Sequence, residues 1–284
     1  VAYPRKRFGQ HWLRSEQVLH RILEAAAVSR CDRILEIGPG KGMLTRWLLS
    51  LADTVIAVEI DWDLCRSLQN QFHQADNLVL LQGDFLELDL QQALASHPEV
   101  QRPNKVVANI PYYITGPILE RLLGTMAQPV PHPYDSIVLL LQRDVAERLY
   151  ASPGSKTFGA LSVRVQYLAH CEFICPVPPQ AFQPPPKVDS AVVRLIPRRQ
   201  RWAVQDPQRL QQWVTLGFAN KRKMLRNNLK GVIERDHLMA VMEHLGLDPK
   251  ARAEDLGIEQ WIALSNRALA FEAKPEENNS SGIR

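Results

Sequence analysis

The chain has 284 residues, 45% of them hydrophobic and 23% charged, with a formal net charge of +4. That is the composition of a water-soluble globular protein, long enough for one large domain and one small one. No run of 18 apolar residues occurs, which excludes a membrane-spanning helix. The basic N-terminus, Arg5, Lys6 and Arg7 among it, lacks the apolar stretch of a secretory signal. Because the chain opens on Val1 rather than Met, there is room for residues upstream.

Taken in order, the first 198 residues alternate strand-like and helix-like stretches. Strands are expected over Arg33–Ile37, Thr54–Ile60, Leu78–Gln82, Lys105–Asn109 and Ser136–Leu141. Helices are expected over Gly42–Leu51, with Leu44, Trp47, Leu48 and Leu51 on one face, and over Asp63–Phe72 and Ile114–Met126. Short β-rich runs spaced by helices predict a parallel sheet with ligands bound at the carboxyl ends of its strands. Two later stretches, Glu172–Val177 and Ala191–Ile196, are joined by a Pro-rich segment too short for a crossover helix. They should therefore pair antiparallel.

Chemistry-bearing residues fall where successive strands end. After the first strand comes Glu36-Ile37-Gly38-Pro39-Gly40-Lys41-Gly42. Its alternating glycines let the backbone turn sharply and approach a ligand, and the GxGxG spacing departs from the GxGxxG of nicotinamide folds. Glu59 ends the second strand, where a carboxylate can take both hydroxyls of a ribose. Asp84, beside Phe85, ends the third and can accept from an adenine amine. Two such carboxylates without a pyrophosphate site suit S-adenosylmethionine better than NAD. Taken singly, each carboxylate also serves as a helix cap or a surface group.

Asn109-Ile110-Pro111-Tyr112 ends the fourth strand. An exocyclic purine amine is a poor nucleophile because its lone pair is delocalised into the ring. Holding its hydrogens on fixed acceptors lets the nitrogen pyramidalise towards an electrophile. The Asn109 side-chain oxygen and a backbone carbonyl at Pro111, which has no N–H to compete, provide such acceptors, and Tyr112 offers a ring for a base to stack on.

Several of these segments together resemble one family. RFGQHWL at 7–13, EIGPGKGMLT at 36–45, VEID at 58–61, GDFLELDL at 83–90, NIPYYIT at 109–115, LQRDVAERL at 141–149 and FQPPPKVDSAVVRL at 182–195 resemble the bacterial small-subunit (16S) rRNA adenine N6,N6-dimethyltransferases. The resemblance implies an α/β fold, a Rossmann-like class I methyltransferase sheet, mostly parallel with one antiparallel strand, over residues 1–198. A small all-α RNA-docking domain over 199–284 is implied to follow. It also implies that Leu13, Gly38, Glu59, Asp84 and Asn109 line the S-adenosylmethionine site, with Gly40 in the turn and Phe85 against the adenine. Phe182 would be a second aromatic wall that sandwiches a flipped base with Tyr112; taken alone, it suits a core better than a site. The catalytic set implied is thus Asn109, Pro111, Tyr112 and Phe182. Where the family usually has FGQNFL, this chain has His11 and Trp12, and His11 is expected to donate a hydrogen bond to the methionine end of the cofactor, with a charge that varies near neutral pH.

Charge is unevenly placed. Residues 198–230 hold nine lysines and arginines against Asp206 alone, and residues 1–21 hold five against Glu16. Phosphate contacts dominate nucleic-acid affinity, so these segments are expected to face a polyanion, which the resemblance implies is rRNA or a precursor of the small ribosomal subunit. Helical periodicity over Lys221–Ile233 puts Arg222, Lys223, Arg226 and Lys230 on one side, with Met224, Leu225, Leu229 and Val232 on another. Residues 274–284, rich in Glu, Asn and Pro, are expected to be a disordered tail. The four scattered cysteines point to reduced thiols in a cytoplasmic compartment, no metal site is expected, and a monomer is the expected state. A large-subunit rRNA methyltransferase, a non-catalytic RNA-binding assembly factor and an NAD-dependent oxidoreductase are the competing readings.

Overall fold

The computed structural model describes residues 10–98, 100–200 and 202–272. Arg5, Lys6, Arg7 and the expected tail at 274–284 lie outside them. The chain divides into two compact units. Residues 10–124, 130–150 and 168–199 make the first, and 125–129, 151–167 and 200–272 the second. The uninterrupted N-terminal domain expected over 1–198 is therefore interrupted twice, because the segment after Gly124 and the stretch 151–167 pack with the C-terminal helices.

In the first unit the strands are β1 (Trp12–Leu13), β2 (Arg33–Ile37), β3 (Thr54–Glu59), β4 (Leu78–Gln82), β5 (Lys105–Asn109), β6 (Ser136–Gln142), β7 (Ala169–Val177), β8 (Phe182–Gln183) and β9 (Ser190–Pro197). Seven of them form one sheet in the order β4-β3-β2-β5-β6-β9-β7. β2 to β6 run parallel, while β9 is antiparallel to both of its neighbours, β6 and β7. One strand thus runs against the rest, as expected. The helices are α1 (Glu16–Ala26), α2 (Met43–Leu51), α3 (Trp62–Gln71), α4 (Leu90–Leu94), α5 (Thr115–Leu123) and α6 (Arg143–Tyr150).

The parallel register brings the ends of the central strands into one layer. Ile37 lies opposite Val58, Glu59 opposite Gln82, and Asn109 opposite Leu140. Their central segments are almost wholly apolar, as a parallel sheet covered on both faces requires: Ile34, Leu35, Val55, Ile56, Val106 and Val107 are all buried. α1 starts on Ser15, whose hydroxyl accepts from the Val18 N–H at 3.4 Å, and packs Leu19, Ile22 and Leu23 into the same core as Val107, Val138 and Val192. On α2, Leu44 and Leu48 are buried as expected, but Trp47 stays 37% exposed, with the His20 ring against its edge.

At the opposite, amino end of the sheet, Asp32 gathers the Lys105 ammonium at 2.9 Å, the Asn104 amide and the Ser29 backbone and hydroxyl. Burial alone would raise this carboxyl. The hydrogen bonds from Lys105, Asn104 and Ser29 outweigh it and hold the group at about 2.

The second unit is helical: α7 (Ala160–Leu168), whose last residue belongs to the first unit, then α8 (Pro207–Gly217), α9 (Leu225–Asn228), α10 (Arg235–His244) and α11 (Ile258–Glu272). Trp213, Trp261 and Phe158 are buried at its centre. The continuous helix expected over Lys221–Ile233 is not formed: α9 spans only Leu225–Asn228. Gly231 takes a left-handed φ of +94°, which ends any helix there. Asn228 turns its amide onto the Gly217 and Asn220 carbonyls at 2.5 and 3.1 Å. The expected sidedness partly survives, since Leu225 and Leu229 are buried while Arg222, Lys223 and Lys230 are exposed.

Candidate active site

A cleft of about 140 Å³, open to solvent, lies at the carboxyl ends of β2 to β5. Of the residues expected in a site, His11, Gly38, Gly40, Glu59, Asp84, Phe85, Asn109, Pro111 and Tyr112 line it together. They come from five separate stretches of chain, so their convergence is a product of the sheet's topology.

The glycine turn forms the floor. Gly38, Gly40 and Gly42 have φ of +68°, +59° and +76°, conformations costly for any residue with a Cβ. Gly40 adds a steric demand, because a methyl group there would lie 2.8 Å from Trp12 Cδ1. Its N–H donates to Glu59 Oε2 at 3.1 Å, and the Asp61 N–H donates to Glu59 Oε1 at 3.0 Å. Glu59 therefore ties the turn to the end of β3 while each of its oxygens keeps accepting capacity. Burial raises its carboxyl, against the lowering effect of those two N–H groups. Behind the turn, Glu36 is 1% exposed and its Oε2 has no hydrogen-bond partner. Burial pushes its carboxyl up to about 8; the Thr45 hydroxyl opposes this and the Glu59 charge adds to it.

At the end of β4, Asp84 Oδ1 accepts from the Leu86 N–H at 2.9 Å, which shapes the turn and leaves Oδ2 to a ligand. Phe85 is 7% exposed, and the Arg121 guanidinium lies 5.1 Å from its ring centre.

At the end of β5, Asn109 Nδ2 donates to the His11 backbone carbonyl at 3.0 Å. Only the amide nitrogen can donate to a carbonyl, so this bond fixes the orientation of the side chain and leaves Oδ1 as an acceptor. The Pro111 carbonyl accepts a long bond, 3.4 Å, from the Ile114 N–H. It is thus partly engaged rather than free, with a second lone pair still available. The Tyr112 hydroxyl makes a short hydrogen bond with the Ser190 hydroxyl, and burial raises its pKa, so it remains protonated at neutral pH.

Residues 10–13 cross over the cleft and are fixed along their length. Gln10 Nε2 donates to Asp61 at 3.1 Å, His11 Nδ1 lies 2.9 Å from the Pro184 carbonyl, and Trp12 and Leu13 pair with Gln183 and Phe182. The His11 ring stacks on Tyr112, with centroids 5.9 Å apart and planes at 21°. Lys41 sits 4.0 Å above the Trp12 ring.

Two expectations fail here for one reason. Paired residues of neighbouring strands project to the same face, and successive residues alternate. Trp12 lines the cleft, so Leu13 and its partner Phe182 point the other way. Both sit in the hydrophobic core, at 6% and 1% exposure, and neither lines the cleft. Phe182 is therefore not a second aromatic wall in this arrangement. The sequence reading also missed Gln10, Trp12, Ile60, Gly83 and Tyr113, which line the cleft, and Ser190, which positions Tyr112. All of these lie inside the motifs quoted above, and that position is their signal in the sequence.

Among the described residues no group of three or more His, Cys, Asp or Glu could hold a metal ion, and no helix is long and apolar enough to cross a membrane. The four cysteines are free thiols.

A model of the ribosomal RNA adenine dimethylase family matches residues 2–269. Ribosomal RNA small subunit methyltransferase A of Trichormus variabilis is 62% identical over 266 residues, 94% of this chain and 98% of that protein. Its namesake in Nostoc punctiforme is 61% identical over 269 residues, 93% and 94% of the two chains. Among solved structures, a dimethyladenosine transferase from Plasmodium falciparum superposes with a TM-score of 0.76 at 26% identity, covering 89% of this chain and 96% of that one. The 23S rRNA methyltransferase ErmE gives 0.70 at 28%, covering 90% and 99%. With a class I methyltransferase sheet and a family match along nearly its whole length, the chain belongs to the ribosomal RNA adenine dimethylases.

Proposed function

We propose that the protein transfers methyl groups from S-adenosylmethionine to the N6 amines of adenosines in small-subunit rRNA, in two steps that give N6,N6-dimethyladenosine, during maturation of the small ribosomal subunit in the cytoplasm. The observation that carries this reading is the orientation of Asn109. Its amide is turned by the His11 carbonyl so that Oδ1 faces a cleft already supplied with a glycine turn and two carboxylates.

The residues fit the methyl donor. Glu59 is placed for the ribose hydroxyls, Asp84 Oδ2 for the adenine amine, and Phe85 for the adenine face. At Gly40 a side chain would run into the Trp12 indole, so the turn holds its path beside the cleft only with glycine. When bound, S-adenosylmethionine supplies an electrophilic methyl group on a sulfonium. The protein's own contribution is positioning and electrostatics. Asn109 Oδ1 and the Pro111 carbonyl hold the target amine and favour the positive charge that develops on it. Tyr112, locked by Ser190, gives the base a flat surface. Fixing the two reactants together is worth up to about 7–11 kcal/mol of the barrier.

The target is small-subunit RNA in this reading because relatives about 60% identical carry that name, whereas the large-subunit enzyme ErmE matches at 28%. Arg222, Lys223 and Arg226 in the second unit, with Arg5, Lys6 and Arg7, supply phosphate contacts, and the protein acts as a monomer. Asn109→Ala tests the clamp: turnover should fall by about 100-fold or more, while RNA affinity in a filter-binding assay stays within twofold. Wild-type turnover by the variant would refute it.

A further inference from the structure

We propose that His11 is the proton acceptor for the adenosine amine, a role that rests on the methyl-transfer reading above and that the Asn usual at this position in the family cannot fill. Methylation leaves the exocyclic nitrogen positively charged and with one proton too many. Asn109 Oδ1 and the Pro111 carbonyl hold hydrogens well, but amide oxygens are very weak bases. The Tyr112 hydroxyl is neutral and occupied by Ser190. The two carboxylates of the cleft, Glu59 and Asp84, are committed in that reading to the ribose hydroxyls and the adenine amine of the methyl donor, and they also accept backbone N–H groups. His11 lines the same cleft as Asn109 and Tyr112 and touches both.

Its tautomer follows from one contact. Nδ1 lies 2.9 Å from the Pro184 carbonyl, which can only accept, so Nδ1 carries the hydrogen. The neutral ring then has Nε2 as a bare lone pair. This reverses the expectation that His11 donates to the cofactor: a neutral ring in this pose has no second N–H to give.

The step balances simply. The N–H bond of the methylated amine breaks with its electron pair staying on N6, and the proton forms a bond to Nε2, directly or through one water. The imidazolium then releases a proton to solvent, and the same sequence serves the second methyl group. In its protonated form His11 lacks the lone pair, so protonation should slow the reaction. Among the described residues, the ionisable groups that share the cleft with His11 or border it are Tyr112 and Tyr113 from the turn after β5, Glu59 at the end of β3, Asp61 just after it, Asp84 after β4 and Lys41 from the glycine turn.

Two measurements test the assignment. In the protein without methyl donor, long-range 1H–15N correlation on the neutral ring should show the His11 hydrogen on Nδ1, its signals identified by their loss in His11→Asn; an Nε2–H tautomer would overturn the proposal. In single turnovers at saturating S-adenosylmethionine, the wild-type rate should fall about tenfold per pH unit on the acid side. His11→Asn should flatten that limb and slow the reaction on its alkaline side by about 100-fold or more. The bond from Asn109 goes to the backbone carbonyl of residue 11, so the variant keeps it. A variant that retains the acid limb and only raises the KM for the methyl donor would reduce His11 to a binding residue. If wild-type protein forms no methyladenosine, the functional reading fails, and the tautomer measurement still judges His11 independently.

Discussion

Replacing Gly40 by alanine puts a single methyl group at the contact between the glycine turn and the segment that crosses the cleft. The new carbon would lie 2.8 Å from Trp12 Cδ1 and 3.1 Å from Trp12 Nε1, closer than carbon atoms pack. Trp12 is 9% exposed and held by its β-pairing to Gln183, so the indole cannot swing aside freely. Overpacking of this kind costs about 1–3 kcal/mol, and a Cβ at the left-handed φ of +59° adds roughly 1–2 kcal/mol. The loss should therefore be about 2–5 kcal/mol, at roughly 2–4 °C of melting temperature per kcal/mol for a domain of this size. Any movement of the turn also disturbs the bond from Gly40 N–H to Glu59. S-adenosylhomocysteine affinity, read by calorimetric titration, should drop by tenfold or more. Gly116→Ala is the matched control: it lies in α5, a methyl group there meets nothing within 4 Å, and helix propensity predicts a gain of up to about 1 kcal/mol. A Gly40→Ala protein that melts with the control and binds the ligand normally would refute this account of the turn.

Two further perturbations follow from the charges. Glu36, held at about 8 against an ordinary 4.5, keeps a proton in the folded state that the unfolded chain has released. Its contribution to stability is thus complete below pH 4.5 and lost as pH rises towards 8, a span of at most about 5 kcal/mol. Glu36→Gln should remove that slope, so its denaturation midpoint should improve relative to wild type between pH 5 and pH 8; parallel curves would contradict the assignment. Neutralising Arg222, Lys223 and Arg226 together should weaken RNA binding and reduce the slope of log K against log salt by up to about three phosphate contacts. An unchanged slope would place the docking surface elsewhere.

What was legible in the sequence was whatever depended on local pattern. The runs Arg33–Ile37, Leu78–Gln82 and Lys105–Asn109 became strands over those same residues, because β-branched and leucine-rich stretches bounded by turn residues have few other uses. The site residues at strand ends were legible for the same reason, since a parallel sheet delivers its strand ends to one edge. Side-chain direction was not legible. A motif gives the position of Phe182 but not the face it occupies, which is set by its pairing with Leu13 across 169 residues of chain. The basic segment misled in another way: its charges and leucines have helical spacing, but Gly231 and the side-chain bonds of Asn228 decide the backbone. The hydrogen-bond partners that orient the site, the Pro184 carbonyl on His11 and the His11 carbonyl on Asn109, are backbone groups, and no residue identity announces them.

Whether this chain dimethylates small-subunit rRNA is decided by incubating the protein with S-adenosylmethionine and small ribosomal subunits that lack adenine methylation, then digesting the RNA and measuring nucleosides by mass spectrometry. N6,N6-dimethyladenosine is expected in small-subunit rRNA, dependent on Asn109 and absent from large-subunit RNA treated in parallel. Dimethyladenosine in large-subunit RNA alone, or no methylated adenosine in either, would contradict it.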